Sequence, residues 1–299
     1  MDTREDRGEA RVSRPVISKM LQRAKDEGII EIVIHDDDRE ITNLEKELEN
    51  TFELKQVLVV PTKDLNKELV SSAVGRAAAQ FVQKLIKNGD RVGVSWGNTL
   101  YQMVREFPLE KKENVKIIPL VGGTGNSRNE MHSNQIAYEL SKKMGVTCET
   151  LYAPAVVETE ELREQIVGMA NIAEVLREGE RIDLALVGIG NPFSMSTMER
   201  SGYLNEQVLS ELKLLNTVAD INSVFITRDG SIAGHPINRK VIGLGLEQLK
   251  KARTVVGMAF GLHKIECILA SLHGKYINML ITDESTARRI LDDCRNSRN

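Results

Sequence analysis

The chain has 299 residues, room for one large domain or a large domain with a smaller companion. Its 41% hydrophobic and 28% charged residues are those of an ordinary globular protein, and a net charge of −3 means that any hold on nucleic acid must come from a local patch. Cys148, Cys267 and Cys294 lie far apart without CxxC spacing, against a disulfide framework or a zinc site and for a reducing cytoplasm, and neither a membrane-spanning apolar run nor the apolar core of a signal peptide is present.

Residues 1–11 are almost all polar and are expected to fray. Residues 12–25 then read as a short amphipathic helix: Ser13 can cap it, Pro15 suits its first turn, and Val16, Ile17, Met20, Leu21 and Ala24 share one face. From Arg11 to Lys25 there are five basic residues, Arg11, Arg14, Lys19, Arg23 and Lys25, and no acidic one. Cations for phosphates and Arg or Ser for base edges are what a helix in the major groove needs, so Ser13, Arg14, Ser18, Lys19 and Arg23 are the DNA-binding candidates. A solvated basic helix is the competing reading. Gly28 ends the helix, and residues 29–34 read as a short strand, the helix-then-wing pattern of many helix-turn-helix modules. Asp36-Asp37-Asp38 lacks the Gly and terminal Glu of a calcium loop and is expected to be a solvated linker. Ile41, Leu44, Leu48 and Phe52 fall in register for a linking helix. This divides the chain into a partial helix-turn-helix segment (1–40), a linker (41–55) and a main domain (56–299).

From Gln56 short β-branched runs alternate with helical patterns, which argues for βα units and a mostly parallel sheet. The runs at 57–60, 91–95, 115–121, 146–151, 183–189, 223–226, 254–259 and 278–282 are expected strands. The segments 66–87, 99–107, 129–143, 160–176, 261–272 and 284–294 are expected helices. In such sheets ligands bind beyond the carboxyl ends of the strands.

Two strand ends are rich in small polar residues. The first, Ser95-Trp96-Gly97-Asn98-Thr99, feeds a helix that Asn98 or Thr99 can cap; the second is Gly122-Gly123-Thr124-Gly125-Asn126. A helix N-terminus after a strand offers free amides and a positive dipole end, so the two loops are read as one pocket for a small phosphorylated or polyhydroxy ligand. Ordinary strand–helix turns are the alternative. A third strand ends in Gly188-Ile189-Gly190, but GxGxxG is absent, and so is a Walker motif. Asp220 and Asn222 can accept hydrogen bonds from sugar hydroxyls, or simply cap local backbone. Lys264, at the start of an apolar helix, adds a positive charge that suits a phosphate, or is a surface lysine. The five histidines form no metal-ligand pattern, no GxSxG elbow is present, and nothing points to catalysis or a cofactor.

In order along the chain, Val12-Ser13-Arg14-Pro15-Val16-Ile17-Ser18-Lys19-Met20-Leu21, Gly89-Asp90-Arg91-Val92-Gly93-Val94-Ser95-Trp96-Gly97-Asn98-Thr99-Leu100, Pro119-Leu120-Val121-Gly122-Gly123, Val187-Gly188-Ile189-Gly190, Ser201-Gly202-Tyr203, Val218-Ala219-Asp220-Ile221, Val241-Ile242-Gly243-Leu244 and Gly274-Lys275-Tyr276-Ile277-Asn278 resemble the SorC family of bacterial sugar-responsive transcriptional regulators. The resemblance implies a three-layer α/β effector domain similar to the sugar-phosphate isomerases, with a Rossmann-like, mostly parallel sheet. It implies a phosphate on Gly122, Gly123, Thr124 and Gly125, helped by Lys264, with sugar hydroxyls at Ser95, Asn98, Gln135, Asp220 and Asn222. It further implies operator DNA and a sugar phosphate as partners, a homodimer or homotetramer, and no enzymatic activity; a sugar-phosphate isomerase or aminosugar deaminase, using Asp220 or His235 as acid or base, is the alternative. Two departures qualify this. Only residues 1–11 precede Val12, so the two helices that lead the family's module are missing and its DNA-binding segment is expected to be truncated. One regulator of the family bonds its sugar covalently through a lysine just before the paired glycines, where this chain has Val121, so non-covalent binding is expected.

Overall fold

Strand 184–190, Leu-Ala-Leu-Val-Gly-Ile-Gly, is apolar at every position but its glycines, and a strand apolar on both faces belongs inside a sheet covered on both sides. The computed structural model, which describes Lys19 and residues 39–62, 65–123, 131–194 and 196–296, shows that arrangement. The chain divides into two units, Met1–Arg39 and Glu40–Asn299. In the first, Lys19 is helical and exposed. Ser13, Arg14, Ser18 and Arg23, with the rest of the expected basic helix and its wing, lie outside the described residues.

The second unit is built on a nine-stranded sheet. In chain order its elements are α1 (Arg39–Phe52), β1 (Gln56–Val60), α2 (Lys67–Leu85), β2 (Arg91–Val94), α3 (Asn98–Glu106), β3 (Lys116–Pro119), α4 (Ser133–Met144), β4 (Thr147–Cys148), α5 (Glu160–Val167), α6 (Ala170–Gly179), β5 (Leu184–Gly190), α7 (Thr197–Arg200), α8 (Glu206–Leu214), β6 (Thr217–Ile221), β7 (Val224–Thr227), α9 (Leu246–Leu249), β8 (Thr254–Met258), α10 (Ile265–His273), β9 (Met279–Asp283) and α11 (Glu284–Asn296). The spatial order is β1-β9-β8-β5-β2-β3-β4, parallel throughout, with the antiparallel hairpin β6–β7 attached to the end of β5.

Strand periodicity distributes the core. Leu184 and Leu186 join one buried cluster with α2, α3 and α4, through Val74, Ala78, Leu100, Met103, Ile136 and Leu140. Ala185 and Val187 face the other way, into a cluster with Leu44 and Leu48 of α1, Ile172 of α6, Ile268 of α10 and Ile290 of α11. These are the two helical layers about one sheet, the three-layer α/β fold expected above.

Helix α1 packs as part of this unit. Besides burying Ile41, Leu44 and Leu48, it closes the sheet's open edge: Glu49 Oε1 accepts from Val57 N at 2.9 Å and Glu45 Oε1 from Val59 N at 3.0 Å. β1 is an edge strand, and unpaired edge amides invite pairing with another chain, so two carboxylates one helical turn apart satisfy what a further strand would have taken. The helix expected over 160–176 is two helices, because Gly168 ends α5 and Met169, with extended backbone, starts α6. β6 and α8 were absent from the sequence reading, and the strand expected over 146–151 pairs at Thr147–Cys148 alone.

Candidate functional site

β2 and β5 lie side by side, yet β2 is followed in the sheet by β3 on one flank and β5 by β8 on the other. This reversal leaves a crevice at the carboxyl ends of the strands, the place where open α/β sheets bind ligands. A cavity of about 370 Å³ opens there. Its walls come from the end of β2 (Ser95 to Thr99), the end of β5 (Gly188 to Asn191), α7 (Thr197, Met198, Arg200), the hairpin (Asp220, Asn222) and the segment after β8 (Phe260, His263, Lys264).

At the end of β2 the backbone turns at Gly97, whose φ of 120° is a region L side chains rarely adopt. α3 begins at Asn98, so Gly97 holds the cap position and no side chain caps the helix. The capping role expected of Asn98 or Thr99 is thereby corrected: both lie inside the first turn. The first-turn amides therefore stay unclaimed by any cap, at the positive end of a nine-residue helix on the cavity wall.

Across the cavity, β6 and β7 are joined by Asn222 and Ser223, both left-handed at φ 51° and 67°. That is the backbone of a two-residue hairpin turn whose twist matches its strands. The turn fastens the cavity floor. Asn222 Nδ2 donates to the carbonyls of Leu120 (3.0 Å) and Leu244 (2.9 Å), Ser95 Oγ donates to Asn222 Oδ1 at 2.8 Å, and Trp96 Nε1 donates to Ser223 Oγ at 3.1 Å. Asn222 thus has both amide hydrogens engaged, and its part is to buttress the wall.

Two opposite charges face the cavity. Asp220 is 8% exposed, and burial pushes its carboxyl up to about 6, against the opposing pull of Lys264 and of the Ser223 amide. Lys264 is partly buried, which lowers its ammonium from the usual lysine range, while Cys267 and Asp220 act to raise it. Its Nζ donates to the Ile189 carbonyl at 2.8 Å. The segment that carries Lys264 is pinned from behind: Gly261, at φ 92°, donates its amide to Asp283 Oδ1 (2.7 Å) and Thr286 Oγ1 (2.9 Å). Arg200 stands exposed on the wall as a second cation.

The structure thus brings Ser95, Gly97, Asn98, Thr99, Asp220, Asn222 and Lys264 to one cavity, together with Ser196, Thr197, Arg200 and His263, which the sequence reading did not name. Other expected residues are placed differently. The Gly122 amide donates to Ile242 O at 2.9 Å and the Gly123 amide to Ala153 O at 2.8 Å, so neither is available to a phosphate. Gly122 serves close packing, since a Cβ there would come within 2.4 Å of the Pro154 carbonyl oxygen. Thr124, Gly125 and Asn126 lie outside the described residues. Gln135 bonds to Glu139 one turn along α4 (3.1 Å) and is absent from the cavity lining. Val121 is fully buried and apolar. His235 is likewise remote from the lining; its Nε2 meets Glu211 at 2.7 Å and its Nδ1 accepts from Ile237 N. Among the described residues no group of three or more His, Cys, Asp or Glu side chains is placed to hold a metal ion, and no helix is long and apolar enough to cross a membrane.

Against known proteins, the family model described as "Putative sugar-binding domain" matches residues 37–292. The Deoxyribonucleoside regulator of Bacillus subtilis is 30% identical over 284 residues, covering 94% of this chain and 90% of that protein. The full-length Sorbitol Operon Regulator SorC of Klebsiella pneumoniae superposes with a TM-score of 0.83 at 29% identity, over 94% of this chain and 90% of that one. The chain belongs to the SorC family of sugar-responsive transcriptional regulators. It is a regulator of carbohydrate metabolism, and the sheet with its cavity is the family's sugar-binding domain. A protein from Listeria monocytogenes described as a DeoR family transcriptional regulator is 40% identical, with a TM-score of 0.79 over 84% of this chain and 99% of its own. The ordered motifs of the sequence had pointed to this family.

Proposed function

We propose that the cavity beyond β2, β5 and β8 is the effector site, that it takes a phosphorylated sugar without forming a covalent bond, and that occupancy changes the regulator's hold on operator DNA. The observation that carries this is the convergence at one strand-order reversal of an uncapped helix N-terminus, a partly buried ammonium and a buried carboxyl. The α3 amides and Lys264 suit a phosphate, because a dianion there meets a helix dipole and a cation. Asp220 suits hydroxyl groups, since an ionised carboxylate only accepts hydrogen bonds. The volume of about 370 Å³ is that of a small-molecule site and matches a monosaccharide phosphate. Val121 stands where one regulator of the family carries its sugar-bonding lysine; it has no nucleophile and is buried, which supports non-covalent binding.

The protein acts in the cytoplasm as a homodimer or homotetramer, since operators with two-fold symmetry need a two-fold partner. DNA contact falls to residues 1–40, with Ser13, Arg14, Ser18, Lys19 and Arg23 as its candidates. We read the protein as a regulator without enzymatic activity: of the two groups considered as acid or base for isomerisation or deamination, Asp220 faces the cavity, while His235 is engaged with Glu211 and is absent from its lining. The test is a thermal-shift panel of five- and six-carbon sugar phosphates against the same sugars unphosphorylated. A ligand at a hundred times its Kd adds about 2.7 kcal/mol, a readily measured rise in Tm. Stabilisation by at least one phosphorylated sugar, with its unphosphorylated form inert and no turnover, is expected; turnover would establish the enzyme reading instead.

A further inference from the structure

The pair Gly188-Ile189-Gly190 at the end of β5 fits no nucleotide-binding pattern, and the effector reading does not use it. The register gives Gly190 a specific neighbour: it lies opposite Asp220 in the antiparallel pairing of β5 with β6. A Cβ built on Gly190 would fall 1.8 Å from Asp220 Oδ1, 2.5 Å from Cγ and 2.9 Å from Oδ2. The three nearest atoms all belong to that one carboxyl. Gly190 is not among the glycines of positive φ, so its backbone is one that alanine can adopt. What the position supplies is empty volume, not conformational freedom. Asp220 cannot simply withdraw, because its backbone pairs with Gly190 on one side and Phe225 on the other and its carboxyl accepts from the Ser223 amide.

We propose that Gly190 is a positioning residue: the space above its Cα is the seat that holds the Asp220 carboxyl in the cavity wall, facing Lys264. Any side chain at 190 drives the carboxyl off that seat. The importance of the seat rests on the cavity being the effector site, but the seat can be tested with no effector present, so failure of one idea is distinguishable from failure of the other.

The experiment is a double-mutant cycle on the full chain, with Gly190→Ala, Asp220→Ala and the pair, followed by thermal unfolding. Overpacking at a well-filled site places the Gly190→Ala loss at roughly 3–10 °C in the parent. In the Asp220→Ala background the same change is expected to lower Tm by less than a third as much, because the space it needs has been vacated. A second readout follows the Asp220 carboxyl itself by 13C NMR of aspartate-labelled protein. Lys264 and Cys267 interact with it electrostatically, and Arg200 and His263 line the same cavity. Displacement alters its distance to both, so its titration midpoint moves in Gly190→Ala. Equal losses in the two backgrounds, no loss in either, or an unmoved midpoint overturns the proposal. Should Gly190→Ala fail to fold, the pair is expected to fold, and failure of both overturns it as well.

Discussion

Asp220 is held in a state that disfavours its own charge. Its carboxyl lies near 6 in the folded chain against 3.8 ordinarily, so between those values the native state binds the extra proton. The stability it contributes is therefore fully present below pH 3.8 and is lost as pH rises through about 6. Asp220→Asn keeps the shape and removes the penalty. The variant is expected to match the parent near pH 4 and to exceed it at pH 7.5, by at most about 3 kcal/mol and less by whatever Lys264 loses without its counter-charge. Urea unfolding at the two pH values measures this; a constant difference would contradict it. Effector affinity is expected to fall in the same variant, since neutral Asn is a weaker acceptor for hydroxyls, and a more stable protein that binds less well is the mark of a residue kept for function. Lys264→Met retains the apolar stem and deletes the charge. Charge-assisted hydrogen bonds contribute about 1.5–3 kcal/mol, so a loss of roughly 10- to 100-fold in affinity for a phosphorylated sugar is expected by calorimetry.

At the scale of the element, the strand–turn–helix at 91–106 carries the site. Gly97 there has a φ of 120°, and a side chain stores strain of about 1–3 kcal/mol in that region. Gly97→Ala is expected to lower stability by that order in chemical unfolding and to weaken the effector by misplacing the α3 amides. α1 makes a separate prediction. Glu45→Ala with Glu49→Ala strips the acceptors from the Val57 and Val59 amides, at about 1–3 kcal/mol each if they stay buried, and frees the β1 edge. Light scattering should show association beyond the parent's own oligomer, and a variant with the parent's mass and stability would contradict the edge-capping role.

Much of this was legible in the chain because apolar runs such as 184–190 can only be buried strands. The strand ends and their glycines were legible too, and so was the end of β2 as a tight turn into a helix, which the structure places on the cavity wall. What was not legible depends on partners distant in sequence. Gly122 and Gly123 read as phosphate amides, but their hydrogens go to Ile242 and Ala153, which no local pattern reveals. β6 carries a buried aspartate in the middle of an apolar run, which breaks strand alternation; Asn222-Ser223, flanked by Thr217–Ile221 and Val224–Thr227, was the two-residue hairpin signal that could have found it. Gln135 was assigned to the ligand, yet its amide meets Glu139 on its own helix.

In the whole molecule a sugar-binding domain serves transcriptional regulation, and an effector can shift that balance only as far as its affinities for the two states differ. Trp96 is the chain's single tryptophan and it lines the cavity, so the protein carries its own reporter. The decisive measurement is a Trp96 fluorescence titration of the parent and of Lys264→Met with the sugar phosphates that stabilise the fold. A saturable change with the parent, displaced by at least tenfold in concentration for Lys264→Met, is the predicted result. Fluorescence that stays flat while the ligand stabilises the protein, or identical curves for the two proteins, would place the effector somewhere other than this cavity.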